Sequence, residues 1–131
     1  MSNFASVEAE QAVLCSMLID SGCVRRVAAI LRESDFSVAL NQDLYRVIVT
    51  MDRDGQPIDG LTVCAEALRQ SLAEEKTLRK YLAQLMEITP TAANVEMYAD
   101  IVARTARRRE LKTALEDGLA ALADQAPEDE V

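Results

Sequence analysis

The chain has 131 residues, 50% of them apolar, with 22 acidic and 14 basic side chains, no histidine and a net charge of −8. That is enough apolar material for one compact domain with a buried core. The acidic balance disfavours bulk binding to a phosphate backbone. A zinc site of the usual Cys/His type needs four ligands, and Cys15, Cys23 and Cys64 are too few and irregularly spaced. These cysteines read as small buried apolar side chains in a reducing compartment. No apolar run approaches the ~18 residues that span a bilayer. The longest, around Ala12 to Ile19, is broken by Ser16 and followed by Asp20, and no secretory leader pattern precedes it. The expectation is a soluble, cytoplasmic protein.

Strand signals are nearly absent, and helical spacing recurs throughout. A first helix is predicted from about Ser6 to Ile19, with Ser6 as N-cap, Glu8 and Glu10 as first-turn charges, and Val7, Leu14, Met17 and Leu18 on one face. A second runs from about Asp20 to Leu31, capped by Asp20 or Ser21, with Val24, Val27, Ala28 and Leu31 in register. A third, from about Asn41 to Asp52, buries Leu44, Val47, Ile48 and Met51 and stops at Gly55-Gln56-Pro57. Phe36, between the second and third, reads as a plug over the core. The fourth, from near Asp59 to near Leu72, turns Leu61, Cys64, Leu68 and Leu72 inward. The fifth, from about Lys76 to Ile88, turns Leu78, Leu82 and Leu85 inward and is ended by Pro90.

The sixth segment is different. From about Asn94 to Leu122 there is no proline, and Gly118 is the only glycine. One helix of about 29 residues would reach ~43 Å at 1.5 Å per residue. Its apolar stripe has two parts, Val95/Tyr98/Ile101/Val102 and Leu111/Leu115/Leu119/Leu122, separated by Arg104, Arg107, Arg108, Arg109 and Lys112. The first part can pack on a helical body. The second is expected to project and to need another helix to cover it. Gln125-Ala126-Pro127 reads as a break, and Pro127-Glu128-Asp129-Glu130 as the first turn of a further helix. The predicted organisation is therefore all-α. Residues 1–90 form a small orthogonal helical globule, 91–124 a long projecting helix, and 125–131 an acidic tail that starts a truncated second hairpin helix.

No catalytic apparatus is legible. The glycines at 22, 55, 60 and 118 form no phosphate-binding loop, and none is followed by lysine. Without histidine the commonest general base is missing and the cysteines have no activating partner. The pairs Glu8/Glu10 and Glu74/Glu75 read as cap charges and solvated faces. Arg107, Arg108 and Arg109 point about 100° apart around a helix, so they make no flat patch. No aromatic residue interleaves with them as in single-strand binders. Their simplest role is pairing with nearby acids, with a protein partner as the functional option for Arg104, Arg107, Arg108 and Lys112. Tyr81 reads as a core-edge ring with its hydroxyl in solvent, or else as a partner contact.

Several stretches, in order, carry a resemblance. They are "VEAEQAVL" from Val7, Asp35-Phe36 ahead of Leu44-Tyr45, "GQPID" from Gly55, Tyr81-Leu82, and "TPTAANVEMYADIV" from Thr89 to Val102. From about Ser6 to Leu122 the chain resembles the N-terminal domain of DnaB-family replicative DNA helicases. It departs from that pattern where the family often has glycine after AVL (here Cys15), often has histidine after the Asp-Phe pair (here Asn41), and is less basic than Arg107 to Arg109. These departures suit a divergent member, of phage or mobile-element type.

The resemblance implies a helical globule followed by a two-helix hairpin. It implies hairpin pairing into dimers, a collar of three dimers over an ATPase ring, and docking of the helicase-binding domain of primase, with a helicase loader as a further partner. It makes Asn94 to Leu122 the first hairpin helix and Leu111, Leu115, Leu119 and Leu122 the oligomer interface. It implies no cofactor for this chain; ATP and magnesium would belong to the motor domain. The alternatives are a stand-alone regulator or loader mimic, and a DNA-binding protein that uses the Arg104 to Lys112 stretch.

Overall fold

A computed structural model describes residues 2–88 and 93–129, with side chains described over 7–88 and 93–125. Among the described residues there are six α-helices: α1 (Ser2–Ile19), α2 (Val24–Ala28), α3 (Ala39–Arg53), α4 (Gly60–Arg69), α5 (Glu75–Met86) and α6 (Val95–Asp129). No strand occurs among the described residues. Nor is any described helix long and apolar enough to cross a membrane.

α1 is the central helix. Every residue from Ala12 to Leu18 is buried, which requires cover on all sides. α3, α5 and α6 supply that cover. Ser16 is tolerated at the centre because its Oγ donates to the Ala12 carbonyl at 2.8 Å. α2 packs on α3 and α6, and α4 packs on α3 and α5. Phe36 is fully buried as the sequence suggests, its ring 4.7 Å from that of Tyr45. Cys15, Cys23 and Cys64 are buried and form no disulfide among the described residues.

Local chemistry sets the helix ends. Asp59 caps α4: its Oδ1 accepts from Thr62 N at 2.8 Å while Thr62 Oγ1 accepts from Asp59 N at 2.9 Å. α3 closes where Gly55 takes φ 74°. There Gln56 N donates to the Met51 carbonyl and Gly55 N to the Asp52 carbonyl. Ser71 closes α4 in the same left-handed region, at φ 57°, where glycine would be favoured.

The predicted buried stripes of α3 (Leu44, Val47, Ile48, Met51) and α5 (Leu78, Leu82, Leu85) are the observed ones. Four expectations need correction. The segment from Asp20 to Leu31 is not one helix. Asp20 Oδ1 accepts from Gly22 N at 3.0 Å, which tightens Ser21–Cys23 into a 3-10 turn, and only Val24–Ala28 is α-helical, with Ala28 exposed. On α4 the inner face is Val63, Cys64 and Ala67, and Leu61 is 73% exposed. α1 starts at Ser2, so Ser6 is inside the helix rather than its cap.

Finally, α6 runs through Pro127 to Asp129 without the expected break. Proline there removes only one hydrogen bond near the helix end, on a stretch that solvent can satisfy. The expected second helix does not begin at Pro127. Glu130 and Pro90 lie outside the described residues.

Candidate functional site

α6 has a base, a junction and a free face. At the base, Val95, Ala99, Val102, Ala103 and Ala106 are buried, and α6 packs chiefly on α1. Small side chains on this face let the two backbones approach. Tyr98 and Ile101 finish the edge as partly buried side chains. Thr105 is kept on the buried side by donating its hydroxyl to the Ile101 carbonyl at 2.8 Å.

At the junction, the 3-10 turn Glu33–Asp35 meets α6. Asp35 is fully buried. Its Oδ2 accepts from Arg32 N at 2.9 Å, and its Oδ1 lies 3.3 Å from Arg32 Nη2 and 3.4 Å from Arg107 Nη1. Its carbonyl accepts from Arg109 Nη2 at 2.9 Å. Arg32 also reaches Glu110 at 2.9 Å. A buried carboxylate needs such compensation; Arg32 and, from α6, Arg107 provide it. Just before this turn, the Leu31 carbonyl accepts from the Tyr45 hydroxyl at 2.8 Å. Burial, with the Asp35 charge added, pushes the Tyr45 phenol up to about 12.

The predicted basic stretch is thus divided. Arg104 pairs with Asp100 one turn earlier at 2.9 Å. Arg107 and Arg109 belong to the junction. Arg108 and Lys112 are exposed and make no ion pair among the described residues. An open cleft of about 480 Å³ beside the junction is lined by Ser34, Arg109, Glu110, Thr113 and Asp117. Its charges are of both signs. No group of three or more His, Cys, Asp or Glu side chains that could hold a metal occurs among the described residues.

Beyond Ala106, no side chain of α6 through Gln125 is buried. Leu111, Leu115, Leu119 and Leu122 are 61, 60, 68 and 64% exposed. Positions 111, 115, 119 and 122 follow the spacing that places side chains on one helix face. Scattered exposed leucines are ordinary, but four in register along three turns of one helix form a contiguous apolar face.

Tyr81 stands elsewhere, on α5, and its hydroxyl is not in solvent. It donates to Asn41 Oδ1 and receives Gln11 Nε2 at 3.4 Å. Burial raises its pKa, against the lowering effect of these two hydrogen bonds. Asn41 Nδ2 in turn donates to Glu10 Oε1 at 3.0 Å, and Ser37 donates to Glu10 Oε2 through N at 2.8 Å and Oγ at 2.6 Å.

Glu10 is therefore no first-turn surface charge. It is fully buried and ties α1 to the start of α3 and, through Asn41, to α5. Its spacing from Val13, Leu14 and Met17 puts it on the buried face, a signal that the misplaced start of α1 obscured. Among the described residues, no hydrogen bond or ion pair joins Tyr81 to the basic stretch of α6.

Comparison with known proteins follows this division of α6. The family model described as "DnaB-like helicase N terminal domain" matches residues 2–104, which is the globule with the base of α6. Over 110 residues, 83% of this chain, it is 38% identical to the replicative DNA helicase DnaB of Geobacillus stearothermophilus and 34% identical to the replicative DNA helicase DnaC of Bacillus subtilis. The aligned part is 24% of each of those proteins, so the chain spans about a quarter of their length. The crystal structure of the N-terminal domain of DnaB helicase from Mycobacterium tuberculosis superposes with a TM-score of 0.79 at 35% identity, over 95% of this chain and 86% of that one. The fold, the sequence match across the globule and the long final helix agree: this chain belongs to the family of DnaB-like helicase N-terminal domains.

Proposed function

We propose that this chain is the non-catalytic assembly and interaction domain of a replicative DNA helicase. Its role is to build the collar over the ATPase ring as a trimer of dimers and to dock the helicase-binding domain of primase, with a helicase loader as a further partner. The parent protein would be a cytoplasmic, ATP-dependent DNA helicase that unwinds DNA at the replication fork. ATP and magnesium would serve a motor domain outside these 131 residues. The single observation that carries the reading is the uncovered leucine face of α6, Leu111/Leu115/Leu119/Leu122, held away from the globule by a fixed junction. Arg108 and Lys112, free beside that face, and Tyr81 are the further contacts proposed for partners.

The test is self-association. Static light scattering over a concentration series is expected to show a mass above that of the 14.4 kDa monomer. Replacing Leu115 and Leu119 by Asp should return it to the monomer while far-UV circular dichroism stays helical. A wild-type chain that remains monomeric at the highest concentration would sink the assembly reading.

A further inference from the structure

A second exposed apolar surface lies on the globule, between α4 and α5. Leu61, at the start of α4, is 73% exposed, and Met86, at the end of α5, is 41% exposed. Between them runs an open groove of about 260 Å³, floored by the buried Cys64 and Leu82 and walled by Leu61, Ala83 and Met86. Among the residues lining it Arg79 alone is charged, and it is paired with Glu75 at 2.8 Å. Met86 reaches across to α4, with its Cγ and Sδ 3.9 Å from where a Cβ would stand at Gly60. Small-molecule sites are enclosed and usually ~300 Å³ or larger. A shallow apolar trough between two helices instead suits the side chains of a third helix.

The rim of the groove is charged, and its two ends differ in sign. At about 100° per residue around α5, Ala83 lies ~40°, Lys76 ~60° and Lys80 ~100° from Arg79, all towards solvent. Lys76 and Lys80 are exposed and form no ion pair among the described residues. They stand four residues apart, where like charges weaken an isolated helix. In a chain with a net charge of −8, two neighbouring cations that no acid answers are an exception. The arginines on the two helices each have a glutamate, Arg69 with Glu66 and Arg79 with Glu75. The opposite end, where Gly60 meets Met86, carries the exposed acids Asp59 and Glu87. Acids are therefore wanted from outside only beside the first turns of α5.

We infer that this groove docks an amphipathic helix of a protein partner. Its apolar side chains enter between Leu61 and Met86, and two of its acidic side chains, one turn apart, meet Lys76 and Lys80. This goes beyond the reading above. The leucine face of α6 plays no part in it, and Tyr81 lies ~160° around α5 from Arg79.

The test titrates two synthetic helical peptides into the isotope-labelled full chain carrying Leu115→Asp/Leu119→Asp, so that the leucine face of α6 does not compete. Both peptides have the same leucine stripe. One has two glutamates beside it, one turn apart, and the other has lysines at those positions. The glutamate peptide should shift the NMR amide signals of α4 and α5 and bind about tenfold more tightly than the lysine peptide. Lys76→Glu/Lys80→Glu should invert that preference. Leu61→Ser should weaken the glutamate peptide by about tenfold, since one apolar contact is lost. These side chains are exposed, so circular dichroism should show each variant as helical as its parent.

Equal affinity for the two peptides overturns the proposal, as do shifts that map outside α4 and α5, or no shift at all. Light scattering of Leu61→Ser in the otherwise wild-type chain checks the remaining occupant. A mass below that of the wild type would assign the groove to a second copy and overturn the proposal; an unchanged mass supports a foreign helix.

Discussion

The two halves of α6 follow the same apolar spacing and meet opposite environments. From Val95 to Ala106 the buried apolar residues are Val and Ala, and this stretch packs chiefly on α1. From Leu111 to Leu122 they are leucines, and all four are more than half exposed. Periodicity says that a face is apolar; it does not say what covers it. Residue size is the more telling difference. Alanines at 99, 103 and 106 suit a partner already close at hand, whereas a row of leucines suits one that must bring its own surface. Between the halves, hydrophobic packing gives way to Asp35, Arg107 and Arg109, so the direction in which the free half leaves the globule is set by charge and hydrogen bonds.

That comparison can be broken at its strongest point first. Val102→Asp puts an unpaired carboxylate into a fully buried site and should cost about 4 kcal/mol or more, enough to unfold the chain in urea titrations. Leu115→Asp, in the other half, should change the stability of the dilute chain by no more than ~0.5 kcal/mol. Equal losses at the two positions would erase the distinction.

The junction comes next. Asp35→Asn keeps the shape but removes the charge that Arg32 and Arg107 answer, and should cost about 1–3 kcal/mol. Small-angle scattering on the same variant should report whether α6 keeps its direction; an unchanged profile together with unchanged stability would deny the junction its role.

The smallest effect is at alkaline pH. Tyr45 has its folded pKa raised to about 12, above the usual phenol value near 10. Its contribution is complete below pH ~10, and it is lost as pH rises towards 12, because only the unfolded chain ionises in that window. Stability measured across that range should fall in the wild type and fall less in Tyr45→Phe.

Much of this was legible in the sequence, and the misses have physical causes. α3 and α5 were readable because large apolar residues occur on one face only, as at Leu44/Val47/Ile48 and Leu78/Leu82/Leu85. Of the face expected for the fourth segment, Cys64 is buried and Leu68 and Leu72 pack partly buried against the core, but the inner face also takes in Val63 and Ala67, and Leu61 is left outside. Glu10 was misread because α1 begins four residues before the assumed cap, which moves Glu10 from the first turn to the third. Asp35 is tied to Phe36 by adjacency and to Arg32 by a three-residue spacing, but its other arginine partners, Arg107 and Arg109, are more than 70 residues away, and no local pattern announces them. Of the arginine run, Arg107 and Arg109 both reach Asp35. Its division between internal pairs and free charge needed the fold.

The most direct test of the central claim, that the distal half of α6 is an assembly surface, is amide hydrogen exchange at low and high protein concentration. The backbone amides from Leu111 to Leu122 should exchange quickly in the dilute chain and become protected as concentration rises, while those from Ala99 to Ala106 stay protected throughout. Protection over Leu111 to Leu122 that does not change with concentration would contradict the account.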